Sequence, residues 1–275
     1  MVDIVENELW LPPDGYLLGC HERSDKCGDV FGKLEDSDID IIPKRMWPDL
    51  IRAREGKPSM ASLVTQIKNQ GQEGSCASNA TTQAMEIVFN LQFGTAQAVV
   101  LSAMSVYHWV GSSAGSGSNV GDNLKQIVEF GALPENTPEN IARFKGTDIL
   151  MHPPRDFDKP LPSGWKNTAK IFRTTEWFDV ETWEGFVTCL LCQIPVVYGR
   201  GQHSIVAVGL EIDRNGKIWV VFANSWGASW ENGGFGKDSE KVIPSGIDAY
   251  GAFAPRVGII PPSTIISLPP KAVAV

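Results

Sequence analysis

The stretch Asn69-Gln70-Gly71-Gln72-Glu73-Gly74-Ser75-Cys76-Ala77-Ser78 places one cysteine where a glycine-punctuated loop turns into a helix. Downstream, Ala77, Ala80, Ala84, Val88 and Leu91 fall on one helical stripe, so the spacing predicts a helix beginning at the cysteine. Small residues on that stripe suit a helix buried between two lobes, because they allow close approach. A thiol at such a start meets unpaired N–H groups and the positive end of the helix, which favour thiolate over thiol. Ser75, just ahead, closes the loop. This is the local chemistry of a nucleophile.

A nucleophilic cysteine needs a base within hydrogen-bond reach and a third group to orient that base. Of the four histidines, His203 opens the apolar run Ser204-Ile205-Val206-Ala207-Val208-Gly209, a strand that would hold its ring firmly. Asn224 closes the next run, Lys217 to Ala223, and Asn215-Gly216 between them is a strong hairpin turn. Pairing through that turn places His203 and Asn224 at one end of the hairpin. An Asn carbonyl there accepts the imidazole N–H and fixes the ring without adding a charge. His21, His108 and His152 read as structural or surface residues.

Three segments now carry a resemblance. The nucleophile loop resembles the Gln-Gly-x-Cys-Gly-Ser-Cys segment of papain-like cysteine peptidases. His203 to Gly209 resembles their His-Ala-Val-x-x-Val-Gly strand. Asn224-Ser225-Trp226-Gly227-Ala228-Ser229-Trp230-Glu231-Asn232-Gly233-Gly234-Phe235 resembles their Asn-Ser-Trp-Gly…Trp-Gly-x-x-Gly-Tyr run. The order and separations agree, with 203 − 76 = 127 residues from Cys to His and 224 − 76 = 148 from Cys to Asn. The resemblance covers roughly residues 62 to 254, and Ile42-Pro43 with Trp47-Pro48-Asp49-Leu50 resembles bacterial or phage-encoded members.

It implies an α+β, two-lobed fold: a helical lobe over about 61–160 and an antiparallel, β-barrel-like lobe over about 161–255, with the cleft between them. It implies a Cys76–His203–Asn224 triad that hydrolyses peptide bonds through an acyl-enzyme, with no metal and no cofactor. Gln70 takes the place of the oxyanion-hole glutamine, a donor worth about 3 to 4 kcal/mol of barrier in other enzymes. Trp226 shields the His203–Asn224 bond from water. Gly115 to Gly121 stands where the family binds substrate backbone, which makes Gly117, Ser118, Asn119 and Gln202 the candidate substrate contacts. Three positions depart from the family. Ala77 replaces a tryptophan, Glu73 replaces a half-cystine, and Gln202 stands where papain has an aspartate. Glu73 beside Cys76 is expected to raise the thiol pKa by like-charge repulsion.

The totals set outer limits. With 275 residues, 43% hydrophobic and 20% charged, the chain can bury a sizeable core in one large domain or two lobes. A net charge of −8 without a basic cluster argues against a nucleic-acid partner, and no apolar run is long enough for a membrane span. Met1 to Trp10 lacks the basic start and apolar core of a signal peptide, so the expectation is a cytoplasmic protein, or a virion-associated one if phage-encoded. Five cysteines leave at least one unpaired, and a reducing compartment leaves the rest as thiols. A Cys20–Cys27 disulfide and a zinc site using Cys20, His21 and Cys27, or Cys189 and Cys192, are the alternatives.

Residues 1–60 show no clear period and are expected as an arm or short propeptide-like extension. Residues 256–275 are expected as an apolar, proline-rich tail. Both ends suit assembly partners. Two other functions share these motifs: a papain-fold structural component of a phage particle or other assembly with weak or lost activity, and another Cys-His acyl transfer such as cell-wall amide hydrolysis.

Overall fold

The structure, a computed structural model, describes residues 12–23, 32–174 and 176–257. Helices fill the first part: α1 (Trp47–Arg52), α2 (Cys76–Phe93), α3 (Ala103–Val110), α4 (Val120–Glu129), α5 (Pro138–Arg143) and α6 (Trp165–Ala169). Then follow β1 (Glu176–Asp179), α7 (Trp183–Leu191), β2 (Val196–Arg200), β3 (His203–Ile212), β4 (Ile218–Ala223), β5 (Phe235–Ser239), α8 (Ile243–Tyr250) and β6 (Ala252–Val257).

Helix α2 is the shared wall of the two parts. It is buried from Cys76 to Asn90 on every side, and its alanines let α3, α4 and β3 approach. Its threonines satisfy themselves within the helix: Thr81 Oγ1 donates to the Ala77 carbonyl at 2.9 Å and Thr82 Oγ1 to the Ser78 carbonyl at 2.8 Å. Leu91 departs from the expected stripe. It is 48% exposed, in the last turn of the helix where the burial has ended. Helix α4 is capped by the loop that precedes it. Asn119 ends the Gly/Ser loop as an N-cap, its Oδ1 accepting from the Asp122 amide at 2.8 Å.

The second lobe is a six-stranded antiparallel sheet in the order β1-β6-β2-β3-β4-β5. It is open rather than closed, so the barrel-like expectation is corrected: among the described residues, edge strands β1 and β5 do not pair. The β3–β4 turn is the expected one. Gly216 takes φ +82°, and Asp213 Oδ1 accepts from the Asn215 and Lys217 amides at 2.8 and 2.9 Å. Val206 then lies opposite Ala223, which brings His203 and Asn224 to the same end.

The N-terminal stretch divides in two. Residues 12–23 lie as a strip across the cleft, whereas α1 is built into the second lobe. Trp47 and Ile51 pack with Val187, Leu191 and Ile218, and Trp47 Nε1 donates to the Ile42 carbonyl at 2.8 Å. Sequence alone hides α1 behind Pro48, but a proline in a helix's first turn forfeits no hydrogen bond. Beyond β6 the expected tail lies outside the described residues. No described helix is long and apolar enough to cross a membrane.

Candidate active site

The nucleophile loop is fastened to the opposite lobe by backbone. The Gln70 amide donates to Ser225 O at 2.9 Å, and the Gly227 amide donates to Lys68 O at 2.9 Å. Below it, buried Lys68 Nζ reaches Glu86 Oε1 at 2.6 Å and the Leu101 carbonyl at 2.5 Å. A buried ion pair of this kind is costly to break on one side, so it pins the loop's entry. Cys76 is the first residue of α2 and is wholly buried.

The expected thiolate is not the state favoured here. Burial pushes the Cys76 thiol up to about 11, against the pull of amides at Ser204, Gly19, Ala77 and Cys76 itself. The helix end does supply its N–H groups, but desolvation outweighs them. Glu73 plays no part in that rise. Its carboxylate turns away, and Oε1 accepts from the Asp156 and Phe157 amides at 2.8 and 3.0 Å.

His203 Nε2 lies 2.7 Å from Asn224 Oδ1, which also accepts from the Ser225 amide at 2.7 Å. That second bond identifies the Asn224 atom as the oxygen, so Nε2 carries the proton and Nδ1 keeps the lone pair. Nδ1 is buried and has no hydrogen-bond partner among the described residues. Trp226 stacks on the imidazole at 4.5 Å and 23°, with Trp230 edge-on behind it at 5.4 Å. Burial pulls His203 down to about 4, although Asn224 favours the charged ring.

Gln70 is oriented by Ser225, whose hydroxyl donates to Gln70 Oε1 at 2.6 Å. The Gln70 Nε2 group is thereby aimed into the cleft, donating to the carbonyls of Glu73 and Leu17, each at 2.8 Å. Leu17 belongs to the strip at 12–23, which lies along the whole site. Tyr16 Oη donates to Asn69 Oδ1 at 2.8 Å, and the Cys20 amide to Gln202 O at 2.7 Å. The Ser118 amide donates to Gly19 O at 2.8 Å and the His21 amide to Ser118 O at 3.1 Å, a parallel bridge. Arg23 anchors the end on Asp179 Oδ2 at 2.7 Å. The fit depends on glycine. A Cβ on Gly19 would stand 2.2 Å from the Gly74 carbonyl oxygen, and one on Gly117, at φ +73°, would stand 2.5 Å from Gly19 O.

Of the candidate substrate contacts, Gly117, Ser118 and Gln202 meet this strip, whereas the Asn119 side chain caps α4. Ser75 holds the helix start by accepting from Asn79 Nδ2 at both its carbonyl (2.9 Å) and its hydroxyl (3.1 Å). Sequence reasoning assigned no role to Ser225, to Tyr107 (whose hydroxyl accepts from the Gly117 amide at 3.0 Å) or to Leu17 and Gly19, and gave Cys20 only a disulfide or zinc role. Ser225 lay inside a quoted motif; the others show no local pattern. Cys20 is buried and Cys27 lies outside the described residues, while Cys189 is buried in α7 and Cys192 is exposed. His152 is buried, its ring nitrogens 3.2 Å from the Pro153 and Lys159 carbonyls.

No protein-family model matches this chain. In sequence it is similar to pro-cathepsin H of Medicago truncatula, 22% identical over 245 residues that cover 81% of this chain and 69% of that protein. It is also similar to ananain of Ananas comosus, 24% identical over 74% of this chain; the match spans only 57% of ananain's length. Among solved structures it resembles xylellain, a cysteine protease from Xylella fastidiosa, with a TM-score of 0.61 at 17% identity over 91% of this chain and 100% of that one. Digestive procathepsin L2 proteinase from Tenebrio molitor superposes with a TM-score of 0.59 at 16% identity over 88% and 79%. The chain has the papain-like fold, and its sequence is similar to those of papain-like cysteine peptidases.

Proposed function

We propose that this chain is a cysteine peptidase whose cleft is occupied by its own N-terminal strip. One observation carries this reading: the site already holds an extended peptide backbone. Gln70 Nε2 captures the Leu17 carbonyl, while Ser118 and Gln202 bond the backbone of Gly19, Cys20 and His21. A substrate peptide would use the same donors and acceptors once the strip has left. The similar proteins are named as peptidases, two of them as pro-forms, and the sealed cleft suits that state.

In the opened site, His203 Nδ1 takes the Cys76 proton and the sulfur attacks the carbonyl carbon of a peptide bond. Negative charge moves to the carbonyl oxygen, where Gln70 Nε2 and the Cys76 amide receive it. The imidazolium gives its proton to the departing amine as the C–N bond breaks, leaving a thioester. Water, deprotonated by His203, then attacks that thioester; the acid is released and the proton returns to sulfur. Asn224 and Trp226 keep the ring in the tautomer this requires.

Incubation of the full chain with a mixed peptide library, followed by mass spectrometry of the products, tests the reading. Cleavage that disappears in Cys76→Ser supports it. Cleavage of cell-wall peptide amides alone would assign the same triad to that substrate, and no cleavage after removal of the strip would leave a structural papain-fold protein.

A further inference from the structure

The residue with the least expected contacts near the site is Glu73. It sits in sequence between the oxyanion donor and the nucleophile, and it ties the nucleophile loop to segment 155–157. Its carbonyl accepts from Gln70 Nε2 at 2.8 Å, so its backbone helps set the donor. Its side chain crosses to segment 155–157, where Oε1 takes the Asp156 and Phe157 amides. Asp156 has φ +85°, a left-handed conformation that a non-glycine residue holds only when its surroundings fix it. The Phe157 ring then packs on Tyr107 at 5.5 Å and His108 at 5.4 Å. Tyr107 Oη donates to Ser113 O at 2.9 Å and accepts from the Gly117 amide at 3.0 Å. The chain of contacts therefore runs from Gln70 through Glu73, Phe157 and Tyr107 to the Gly117–Ser118 backbone.

We infer that Glu73 is a positioning residue: its carboxylate fixes the spacing between the oxyanion donor Gln70 and the Gly117–Ser118 wall that holds peptide backbone. The inference rests on the peptidase reading. Two amides focused on one carboxylate oxygen make a stronger clasp than neutral pairs do. The charged groups acting on it are Arg155 and Asp156, with opposite effects, and burial raises its pKa. Among the described residues Oε2 is buried without a hydrogen-bond partner, so the hydrogen bonds that hold the side chain fall on Oε1. Glutamine keeps that oxygen; alanine removes it.

The test uses the full chain with the strip displaced by Gly19→Val, comparing Glu73→Ala with Glu73→Gln. In Glu73→Ala, turnover of a cleaved peptide should fall about tenfold in kcat. Alkylation of Cys76 by an epoxide, which needs no oxyanion donor, should change less than about threefold. Glu73→Gln should recover most of the loss. Phe157→Ala should act mainly on KM, through the Gly117–Ser118 wall. Independently of turnover, hydrogen exchange at the Asp156, Phe157 and Gly117 amides should quicken together in Glu73→Ala and slow again in Glu73→Gln. Exchange that rises only at Asp156 and Phe157, or a kcat unchanged by alanine, overturns the inference. A chain that neither turns over peptide nor alkylates at Cys76 instead refutes the peptidase reading, and the exchange data still decide on the clasp.

Discussion

Two strips of chain line the same cleft, and they are held in different ways. The nucleophile loop at 69–76 is embedded: Gln70, Ser75 and Cys76 are fully buried, with backbone bonds to the far lobe and the Lys68–Glu86 pair below. The strip at 12–23 bonds both walls through its backbone yet leaves its large apolar side chains outside, with Leu17 41% and Leu18 36% exposed. A backbone hydrogen bond contributes only about 1 kcal/mol net, whereas a buried large side chain contributes about 2 to 3. The loop therefore belongs to the fold and the strip is an occupant. That difference separates a site that is assembled from a site that is open.

The contrast breaks first at the loop. Cys76→Ser or His203→Ala should lower peptide turnover by about 10⁴-fold or more while melting cooperatively, since neither residue fastens the two lobes. Turnover surviving either change would remove the triad from the account. Gln70→Ala comes next, with kcat down by about 10² to 10³ and alkylation of Cys76 retained. Equal loss of both would show a misfolded loop rather than a missing donor.

The strip should respond to pH. His203 falls from 6.5 to about 4 because it is buried, and the strip at Cys20 and Gln202 is part of that cover. A base with a depressed folded pKa contributes stability above its unfolded value, and that contribution is lost as pH falls from 6.5 toward 4. The span corresponds to about 3 kcal/mol. Protonation therefore favours release of the strip. Protection of the Cys20 amide against hydrogen exchange, corrected for intrinsic rate, should drop about tenfold between pH 7 and pH 5. An unchanged value would show that His203 does not sense the strip. The smallest effect is expected for Ser225→Ala, which frees Gln70 Oε1 and should cost about fivefold in kcat, one neutral hydrogen bond's worth.

What was legible followed short-range rules. The α2 start, the Asn215-Gly216 hairpin and the apolar strand after His203 are local patterns; they put Cys76 at the head of α2 and His203 beside Asn224. The strip was not legible, because its fit depends on Gly19 approaching Gly74 and Gly117 across more than fifty residues of chain. The open sheet was missed for a similar reason. Strand β6 is set by partners distant in sequence, β1 and β2, rather than by its own pattern, and in β5 Gly236 packs under Phe222 and Trp230. The thiol's state needed burial to be known, since the helix end and desolvation act in opposite directions on Cys76.

The central claim is that a competent Cys76–His203 pair lies under a removable strip. Gly19→Val tests it most directly, because the new side chain collides with the Gly74 carbonyl and so lifts the strip, including the Gly19 amide that faces the Cys76 thiol. With an epoxide thiol trap and mass mapping, exposed Cys192 serves as the internal reference. The account predicts that Cys76 labelling rises at least about tenfold relative to Cys192 in Gly19→Val, and that His203→Ala abolishes the gain. Equal labelling of Cys76 with and without the substitution, or labelling indifferent to His203, would contradict it.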